Sequence, residues 1–193
     1  MKTETKGTKS AARPKELIQS KTKLLAEMAV AIALGTVLSF IKFSIWAQGG
    51  SITAGSMVPL FWFSFRRGAK LGITAGVIYG IVQFFVGPFF VHPVQLLLDY
   101  PIAFGALGLA GLFRTHELMG VTVGIVGRFL AHFVSGVIFF ATYAPDVYLG
   151  VNIGANAYAY SALYNGTYLF PELIISLVLM VVLIRRAIID LYK

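Results

Sequence analysis

Five long apolar runs constrain this chain more than any other feature of its sequence. Each is near or above the roughly 20 residues that a helix needs to cross about 30 Å of hydrocarbon. Of all 193 residues, 58% are hydrophobic and only 12% are charged, whereas soluble domains are about 25% charged. The composition therefore excludes a soluble enzyme and a disordered chain, and it predicts one all-α integral membrane domain.

The apolar runs predict six transmembrane helices, of which the second is short. Their predicted bounds are Leu24–Ile45, Ile52–Phe65, Leu71–Phe90, Val94–Phe113, Val121–Tyr143 and Ala157–Ile184. The second run is too short to cross alone, so we expect it to cross with help from its neighbours or to be partly shielded from lipid. Residues 1–22 are polar and rich in lysine, which predicts a flexible basic cytoplasmic tail before a six-helix membrane domain over residues 23–193.

The positions of the basic residues predict that both termini are cytoplasmic. With the N-terminus inside, all but two of the 16 lysines and arginines fall in the tail, in the connections after the second and fourth spans, or at the C-terminal end. The two exceptions are Lys42, near the end of the first span, and Arg128, inside the fifth. This asymmetry follows the positive-inside rule of membrane proteins. No basic stripe with interleaved aromatic residues is present, so we expect no nucleic-acid binding.

Several polar and aromatic side chains share one depth in the predicted spans. On this topology the outer half of the membrane contains Asp99, His132, Phe140, Tyr160 and Asn165. Each ionisable group costs about 2.5–3.5 kcal/mol at the bilayer centre on insertion scales, so such groups usually have a function. Together they suit a polar pocket for a small organic molecule, and aromatic faces beside a carboxylate suit a positively charged ring.

Simpler interpretations of these residues remain open from the sequence alone. Asp99 could neutralise Arg128, and His132 could be a packing histidine on the same helical face as Arg128. The aromatic residues could belong to the belt at the membrane surface. Asn165 could bridge two helices by a hydrogen bond.

Other small or charged residues in the spans also need an explanation. Ala29 and Ala33 are four residues apart on the first span, so they form a small-residue face that either packs inside the bundle or receives a partner helix. The glycine stripe Gly105–Gly111 favours internal packing. Glu27 and Glu172 have no obvious partner in the sequence.

The sequence contains no motif for catalysis. No nucleophile–base pair or metal-ligand spacing is present, and no phosphate-binding loop precedes a Gly-Lys-Ser/Thr triplet. The absence of cysteine excludes disulfides and thiolate metal sites. We therefore expect a protein that is not an enzyme, that requires no cofactor and that does not hydrolyse ATP by itself.

Five runs of residues, in order along the predicted spans, resemble a known family. They are Gln48–Thr53, Ser64–Gly68, His92–Tyr100, His132–Phe140 and Tyr160–Gly166. Over about residues 23–187, the chain resembles the thiamine-specific substrate-binding component, or S component, of energy-coupling factor (ECF) transporters. The resemblance implies a multi-pass protein of the bacterial plasma membrane, mostly Gram-positive, that captures thiamine from outside. It also implies two kinds of partner, a transmembrane coupling component and two cytoplasmic ATPase subunits.

The resemblance further implies roles for individual residues. Asp99 would be the carboxylate that meets the thiamine, with Tyr100 beside it. His132 would contact the ligand within the pocket, and Phe140 would provide an aromatic face. Tyr160 and Asn165 would complete the polar wall around the aminopyrimidine. On the first helix, Ala29 and Ala33 match the small-residue motif at which the coupling component docks.

Three positions differ from other members of the family. Asp99 stands where some members have the longer Glu, and Phe140 stands where some have Trp, which is the stronger cation–π partner. The first outer loop of some members supplies a Trp that aligns nearer Gly50 than Trp46. We therefore expect either that Trp46 contacts the ligand from a shifted position or that Gln48 and the glycine backbone line the site.

Three alternative functions remain compatible with the sequence. The same architecture could bind another vitamin or a precursor, such as riboflavin or hydroxymethylpyrimidine. A stand-alone channel or proton-coupled carrier could use Asp99, Arg128, His132 and Glu172 as a relay. A structural membrane protein would bind no ligand.

Overall fold

The computed structural model describes residues 14–44 and 49–186, with side chains from residue 21 onward. The helices are α1 (Pro14–Phe40), α2 (Val58–Arg67), α3 (Ala69–Val86), α4 (Pro93–Leu97), α5 (Ala103–Ala106), α6 (Glu117–Phe139) and α7 (Ala157–Arg185). A π-helical turn (Leu98–Ile102) joins α4 to α5, and a 3-10 helix (Leu107–Leu112) continues α5, so that these segments form one span. A second 3-10 turn (Ala141–Tyr143) follows α6. The strands form two short antiparallel hairpins, β1–β2 (Lys42–Phe43 with Ile52–Thr53) and β3–β4 (Val147–Tyr148 with Val151–Asn152).

Five helical segments of the described chain are long and apolar enough to cross a membrane. They are Lys21–Phe40, Ala69–Val86, Pro93–Leu112, Glu117–Phe139 and Ala157–Arg185. They correspond to the first and the third to sixth predicted spans. Many of their large apolar side chains are exposed on the outside of the bundle, where lipid would cover them. The prediction of an all-α integral membrane protein is therefore confirmed.

The second predicted span, Ile52–Phe65, is only partly helical. It begins with strand β2 and a turn, and α2 then has only 10 residues, or about 15 Å at 1.5 Å per residue. Arg66 and Arg67 at its C-terminal end contact Glu27 near the inner end of α1. The chain thus returns through α2 to the side from which α1 starts, as a short second span requires. The number of complete crossings and the side of the termini stay predictions.

The bounds of the first helix differ from those expected. It begins at Pro14, inside the segment predicted to be a tail, because proline is well suited to the first turn of a helix. It ends at Phe40, where the chain enters the β1–β2 hairpin. Residues 1–13 lie outside the described residues, so the flexible tail stays a prediction there.

Two other helices end earlier than predicted. Helix α3 stops at Val86 rather than Phe90, because Pro88 follows and disfavours helical geometry in the residue before it. The fifth span is Glu117–Phe139 rather than Val121–Tyr143. Its C-terminal end changes into the 3-10 turn, which carries the chain toward the β3–β4 hairpin.

Glycine allows α3 to lie very close to the fourth span. A Cβ atom at Gly80 of α3 would overlap the backbone of Tyr100, and one at Gly108 would overlap the backbone of α3. The stripe Gly105–Gly111 therefore packs inside the molecule, as predicted. This close packing fixes the position of the turn that carries Asp99.

Pro101 explains the irregular shape of the fourth span. Proline lacks an N–H group and its ring clashes with the preceding turn of a regular helix. The chain responds with a π-helical turn over Leu98–Ile102, a geometry common at functional sites. The widened turn contains both Asp99 and Tyr100.

Candidate ligand-binding site

A cavity of about 130 Å³ lies among the fourth span, α6 and α7, toward the end of the molecule that carries both hairpins. One water needs about 10–15 Å³ on this scale, so the cavity has room for about ten waters or one small organic molecule. All six predicted substrate-binding residues within the described chain line it, namely Asp99, Tyr100, His132, Phe140, Tyr160 and Asn165. The structure thus brings together groups from three separate spans.

Asp99 accepts hydrogen bonds from three side chains. Its Oδ2 accepts from Gln95 Nε2 at 2.7 Å and from Ser135 Oγ at 3.0 Å. Its Oδ1 lies 2.9 Å from His132 Nδ1. Gln95 lies one turn before Asp99, and the other two donors share a face of α6. Because an ionised carboxylate can accept about four hydrogen bonds, one acceptor position remains for a ligand.

Arg128 determines which nitrogen of His132 carries the proton. Arginine only donates hydrogen bonds, and its Nε lies 3.3 Å from His132 Nε2. His132 Nε2 is therefore the acceptor, and Nδ1 carries the proton that it donates to Asp99. The imidazole is neutral in this arrangement. Asp99 thus meets Arg128 through His132 and not in a direct ion pair.

Asn165 connects α7 to α6. Its Nδ2 donates to the carbonyl oxygens of Ser161 at 2.9 Å and His132 at 3.3 Å. Its Oδ1 accepts a hydrogen bond from Tyr168 Oη at 2.6 Å. Asn165 is therefore both a bridge between helices and part of the cavity wall, so the two interpretations of this residue are compatible.

Aromatic rings form a large part of the cavity wall. Phe140 stacks with Phe89 at a centroid distance of 5.9 Å. Tyr160 meets Tyr148 of β3 edge-on at 5.1 Å and Tyr164 at 5.8 Å. Burial and the neighbouring Tyr160 raise the pKa of Tyr148, so its phenol stays protonated at neutral pH. The β3–β4 hairpin is thereby packed against the aromatic wall.

Burial separates the cavity aromatics from those that suit a membrane belt. Phe140 and Tyr160 are only 8% and 7% exposed, so they are not belt residues. Tyr143 and Tyr158 are 62% and 64% exposed, which suits a position at the membrane surface.

The cavity also contains residues to which the sequence assigned no ligand role. Among them are Lys42, Gln83, Phe89, Gln95, Arg128 and Ser135. The two basic residues had a signal in the sequence, because they are the exceptions to the positive-inside pattern. Phe89 had none, since it is an ordinary apolar residue at the end of the predicted third span, and only the structure places it in the loop after α3.

The first outer loop lines the cavity through its glycines. Gly49, Gly50 and Ser51 belong to the wall, and Gly49 has φ of 87°, a conformation that favours glycine. This agrees with a contribution from the glycine backbone. Trp46 and Gln48 lie outside the described residues, so their roles stay predictions.

Two further sequence questions concern α1. Ala29 and Ala33 are exposed on its surface, so they do not pack inside the bundle. Glu27 has partners after all, since its Oε2 lies 3.1 Å from Arg66 Nε and 2.6 Å from Arg67 Nη2. The exposed alanines leave a smooth face on α1 that is open to another helix.

Sequence comparison shows which known proteins this chain is similar to. The family model described as "Thiamine transporter protein (Thia_YuaJ)" matches residues 25–190. Thiamine transporter ThiT of Bacillus subtilis (strain 168) is 35% identical, over 84% of this chain and 91% of the relative. Thiamine transporter ThiT of Lacticaseibacillus paracasei is 26% identical, over 85% and 88% of the two chains.

A solved structure shows the same fold. The structure of ThiT from Listeria monocytogenes has a TM-score of 0.75 to this chain at 24% identity, and the match covers 87% of this chain and 96% of that one. The five long apolar helices make the chain a multi-pass membrane protein, and its family match and its relative from Bacillus subtilis are described as transporters and not as enzymes. On the family match and the relative from Bacillus subtilis, it belongs to the thiamine transporter protein family.

Proposed function

We propose that this chain is the high-affinity thiamine-binding S component of an ECF transporter and that thiamine binds in the cavity around Asp99. The observation that carries the proposal is the environment of this carboxylate. It lies at a cavity between aromatic walls, it has an acceptor position left for a ligand, and it belongs to a chain of the thiamine transporter family.

The groups around the cavity match the chemistry of thiamine. Thiamine has a permanently charged thiazolium ring, an aminopyrimidine and a hydroxyethyl group. Asp99 supplies negative charge and an acceptor for an N–H donor, and Phe140 supplies an aromatic face for the cation. Tyr160 and Asn165 supply hydrogen bonds. Nanomolar binding needs about −12 kcal/mol, so enclosure by the cavity and its loops must add to these contacts.

The interior beneath the cavity supports a binding protein over a stand-alone channel. One turn inward from Arg128 on α6, a Cβ atom at Gly124 would be too close to Phe61 and to the backbone of Leu107. Both of those residues are fully buried. The polar relay Asp99–His132–Arg128 therefore meets closely packed apolar side chains on its inner side.

Transport would then depend on partner proteins. The sequence has no phosphate-binding loop with which to use ATP. We propose that a transmembrane coupling component docks on the face of α1 that contains Ala29 and Ala33, and that two cytoplasmic ATPases drive uptake. The exposure of both alanines supports this surface, because small residues let another helix approach closely.

Ligand identity can be tested by calorimetric titration of the purified, ligand-stripped full chain. We expect nanomolar binding of thiamine and at least 100-fold weaker binding of riboflavin and hydroxymethylpyrimidine. Equal or tighter binding of either alternative would replace thiamine as the ligand. The absence of binding by all three would refute the proposal.

Partner dependence can be tested by thiamine uptake into proteoliposomes. We expect ATP-dependent uptake only when the coupling component and both ATPases are present. Replacing Ala29 and Ala33 together by Trp should abolish uptake but leave thiamine binding intact. Leu130→Trp is the matched control, because Leu130 is exposed on α6 instead. Uptake by the chain alone, or normal uptake by the double variant, would contradict the proposed docking.

A further inference from the structure

A second cavity of about 40 Å³ adjoins the main one. The two cavities share wall residues, which include Lys42, Gln83, Phe104 and Arg128. The second cavity is also lined by Glu172 of α7, which is 1% exposed. Glu172 Oε1 accepts a hydrogen bond from the backbone N–H of Thr53 at 2.5 Å. Its Oε2 is buried without a hydrogen-bond partner among the described residues.

The charges that line the main cavity are by themselves unfavourable for a cation. Lys42 and Arg128 are positive, and Asp99 is the one carboxylate among the described wall residues. Residues 45–48 of the first outer loop carry no charge, and His132 is neutral in the hydrogen-bond arrangement described above. When the adjoining cavity is included, Glu172 adds a second carboxylate. The number of negative side chains around the two cavities then equals the number of positive ones.

Arg128 is the cation that most needs compensation, because Lys42 is exposed and solvent can screen it. The Arg128 guanidinium donates to His132 and, through Nη1, to Met57 Sδ at 3.0 Å. Its Cζ lies 4.3 Å from the centroid of the Phe104 ring. No side-chain carboxylate lies within ion-pair distance of Arg128 in the part of the chain that the structure describes.

Arg128 and Glu172 face the same small cavity. A charge in a membrane interior is costly unless an opposite charge offsets it. Glu172 is suited to this purpose because Thr53 anchors one of its oxygens and the other remains available. Arg128 meanwhile has to stay in place, since it sets the proton on His132.

We propose that Glu172 is a positioning residue for thiamine recognition, acting from the second cavity as the counter-charge of Arg128 so that the main cavity accepts a positively charged ring. The inference rests on the proposed thiamine-binding function. Glu172 does not touch the ligand in this arrangement, because it does not line the main cavity. It acts on the electrostatic potential there.

The test compares two ligands that differ in charge. One is thiamine, and the other is a neutral isostere in which a thiophene ring replaces the thiazolium. Glu172→Gln removes the negative charge but keeps an oxygen that can accept the Thr53 N–H. We expect thiamine to bind roughly tenfold more weakly, the effect of one unit charge at about 10 Å and an effective dielectric constant of about 20. Binding of the neutral isostere should stay within twofold.

A double-mutant cycle completes the test. Arg128→Gln should shift the thiamine-to-isostere affinity ratio in the opposite direction, in favour of thiamine. Arg128→Gln combined with Glu172→Gln should return the ratio to within about threefold of the unmodified chain. Ser176→Ala is the matched control, since Ser176 is a buried, uncharged residue one turn further along α7. It should leave the ratio unchanged.

The outcomes separate this inference from the function on which it rests. If the unmodified chain does not bind thiamine, both fail. If it binds thiamine through Asp99 but Glu172→Gln leaves the ratio unchanged or weakens both ligands equally, the inference alone is overturned. If Glu172→Gln alone yields no folded protein, the comparison is made between Arg128→Gln and the double variant. Adding Glu172→Gln to Arg128→Gln should lower the thiamine-to-isostere affinity ratio, and an unchanged ratio overturns the inference.

Discussion

The outer and inner halves of this bundle differ in how their side chains are packed. The outer half, toward the two hairpins, contains the cavity and its linked polar side chains around Asp99. The inner half, toward the Glu27–Arg66 ion pair, is closely packed around fully buried residues such as Phe61, Leu107 and Val121. The difference agrees with the proposed function, in which one half holds a space for thiamine and the other is closed by packing.

Charged residues differ between the halves as well. In the outer half, Asp99 and Arg128 lie inside the membrane domain and are joined through His132. In the inner half, Glu27 bonds to Arg66 and Arg67, where basic residues set the orientation of the chain. Outer charges are therefore expected to control ligand affinity, and inner charges to have only small effects on stability.

The largest expected effect is on stability, through close packing in the inner half. Gly108→Ala would place a Cβ against the backbone of α3, so two spans would have to separate. We expect the melting temperature to fall by roughly 10 °C, since overpacking costs about 3 kcal/mol and each kcal/mol shifts it by about 2–4 °C. Gly166→Ala is the control, because nothing lies within 4 Å of the added Cβ. An equal melting temperature for both variants would show that the halves do not differ in packing in this way.

The next effect is on affinity, at the centre of the outer half. Asp99→Ala removes the acceptor of three hydrogen bonds and the carboxylate proposed to attract the thiamine cation. Truncating one partner of a buried charge pair costs about 2–5 kcal/mol. We expect thiamine affinity, measured by calorimetry, to fall by about 30-fold or more. Glu117→Ala, a carboxylate at the inner end of α6, should leave affinity within twofold. If the thiamine affinity of Asp99→Ala stays within threefold of that of the unmodified chain, the carboxylate has no role in binding.

A smaller effect is expected from the aromatic wall. Phe140→Leu should weaken thiamine binding by roughly fivefold, because a cation–π contact contributes about 0.5–2 kcal/mol. Phe140→Trp should bind thiamine as tightly as the unmodified chain, or up to about fivefold more tightly, because Trp is the stronger cation–π partner. The exposed Tyr158 offers the control, since Tyr158→Leu should leave the affinity unchanged when all these variants are titrated by fluorescence. Equal affinities for all these variants would exclude an aromatic contact at Phe140.

The smallest effect is expected at the inner ion pairs. Glu27→Ala leaves Arg66 and Arg67 without their shared carboxylate, and such pairs near a surface contribute about 0–1 kcal/mol. We expect the melting temperature to fall by a few degrees and the affinity for thiamine to stay within twofold. A tenfold loss of affinity would mean that the two halves are coupled.

The sequence predicted the long spans well because membrane insertion imposes a simple rule on length and hydropathy. The fourth and sixth spans, predicted as Val94–Phe113 and Ala157–Ile184, are within one residue of Pro93–Leu112 and Ala157–Arg185. Helix α2 was harder, because it is buried by neighbouring helices and need not have the length of a lipid-facing span. The π-helical turn around Pro101 could not be predicted, because proline in a helix can be accommodated in several ways.

The site was predictable where a costly polar group stood out against an apolar span. Asp99, His132 and Asn165 gave this signal, and all three line one cavity. Phe89 gave none, because an apolar residue at the end of a predicted span does not stand out, and only the folded chain brings it to the cavity wall. The link from Arg128 to His132 could not be predicted either, since it depends on side-chain geometry and not on spacing alone.

The most direct test of the central claim is a structure of the chain determined with saturating thiamine. We predict that thiamine lies in the outer half, with its ring against Phe140 and an N–H group within hydrogen-bond distance of Asp99. Thiamine bound on another surface, or an unfilled cavity under conditions where the protein demonstrably binds the vitamin, would contradict the claim.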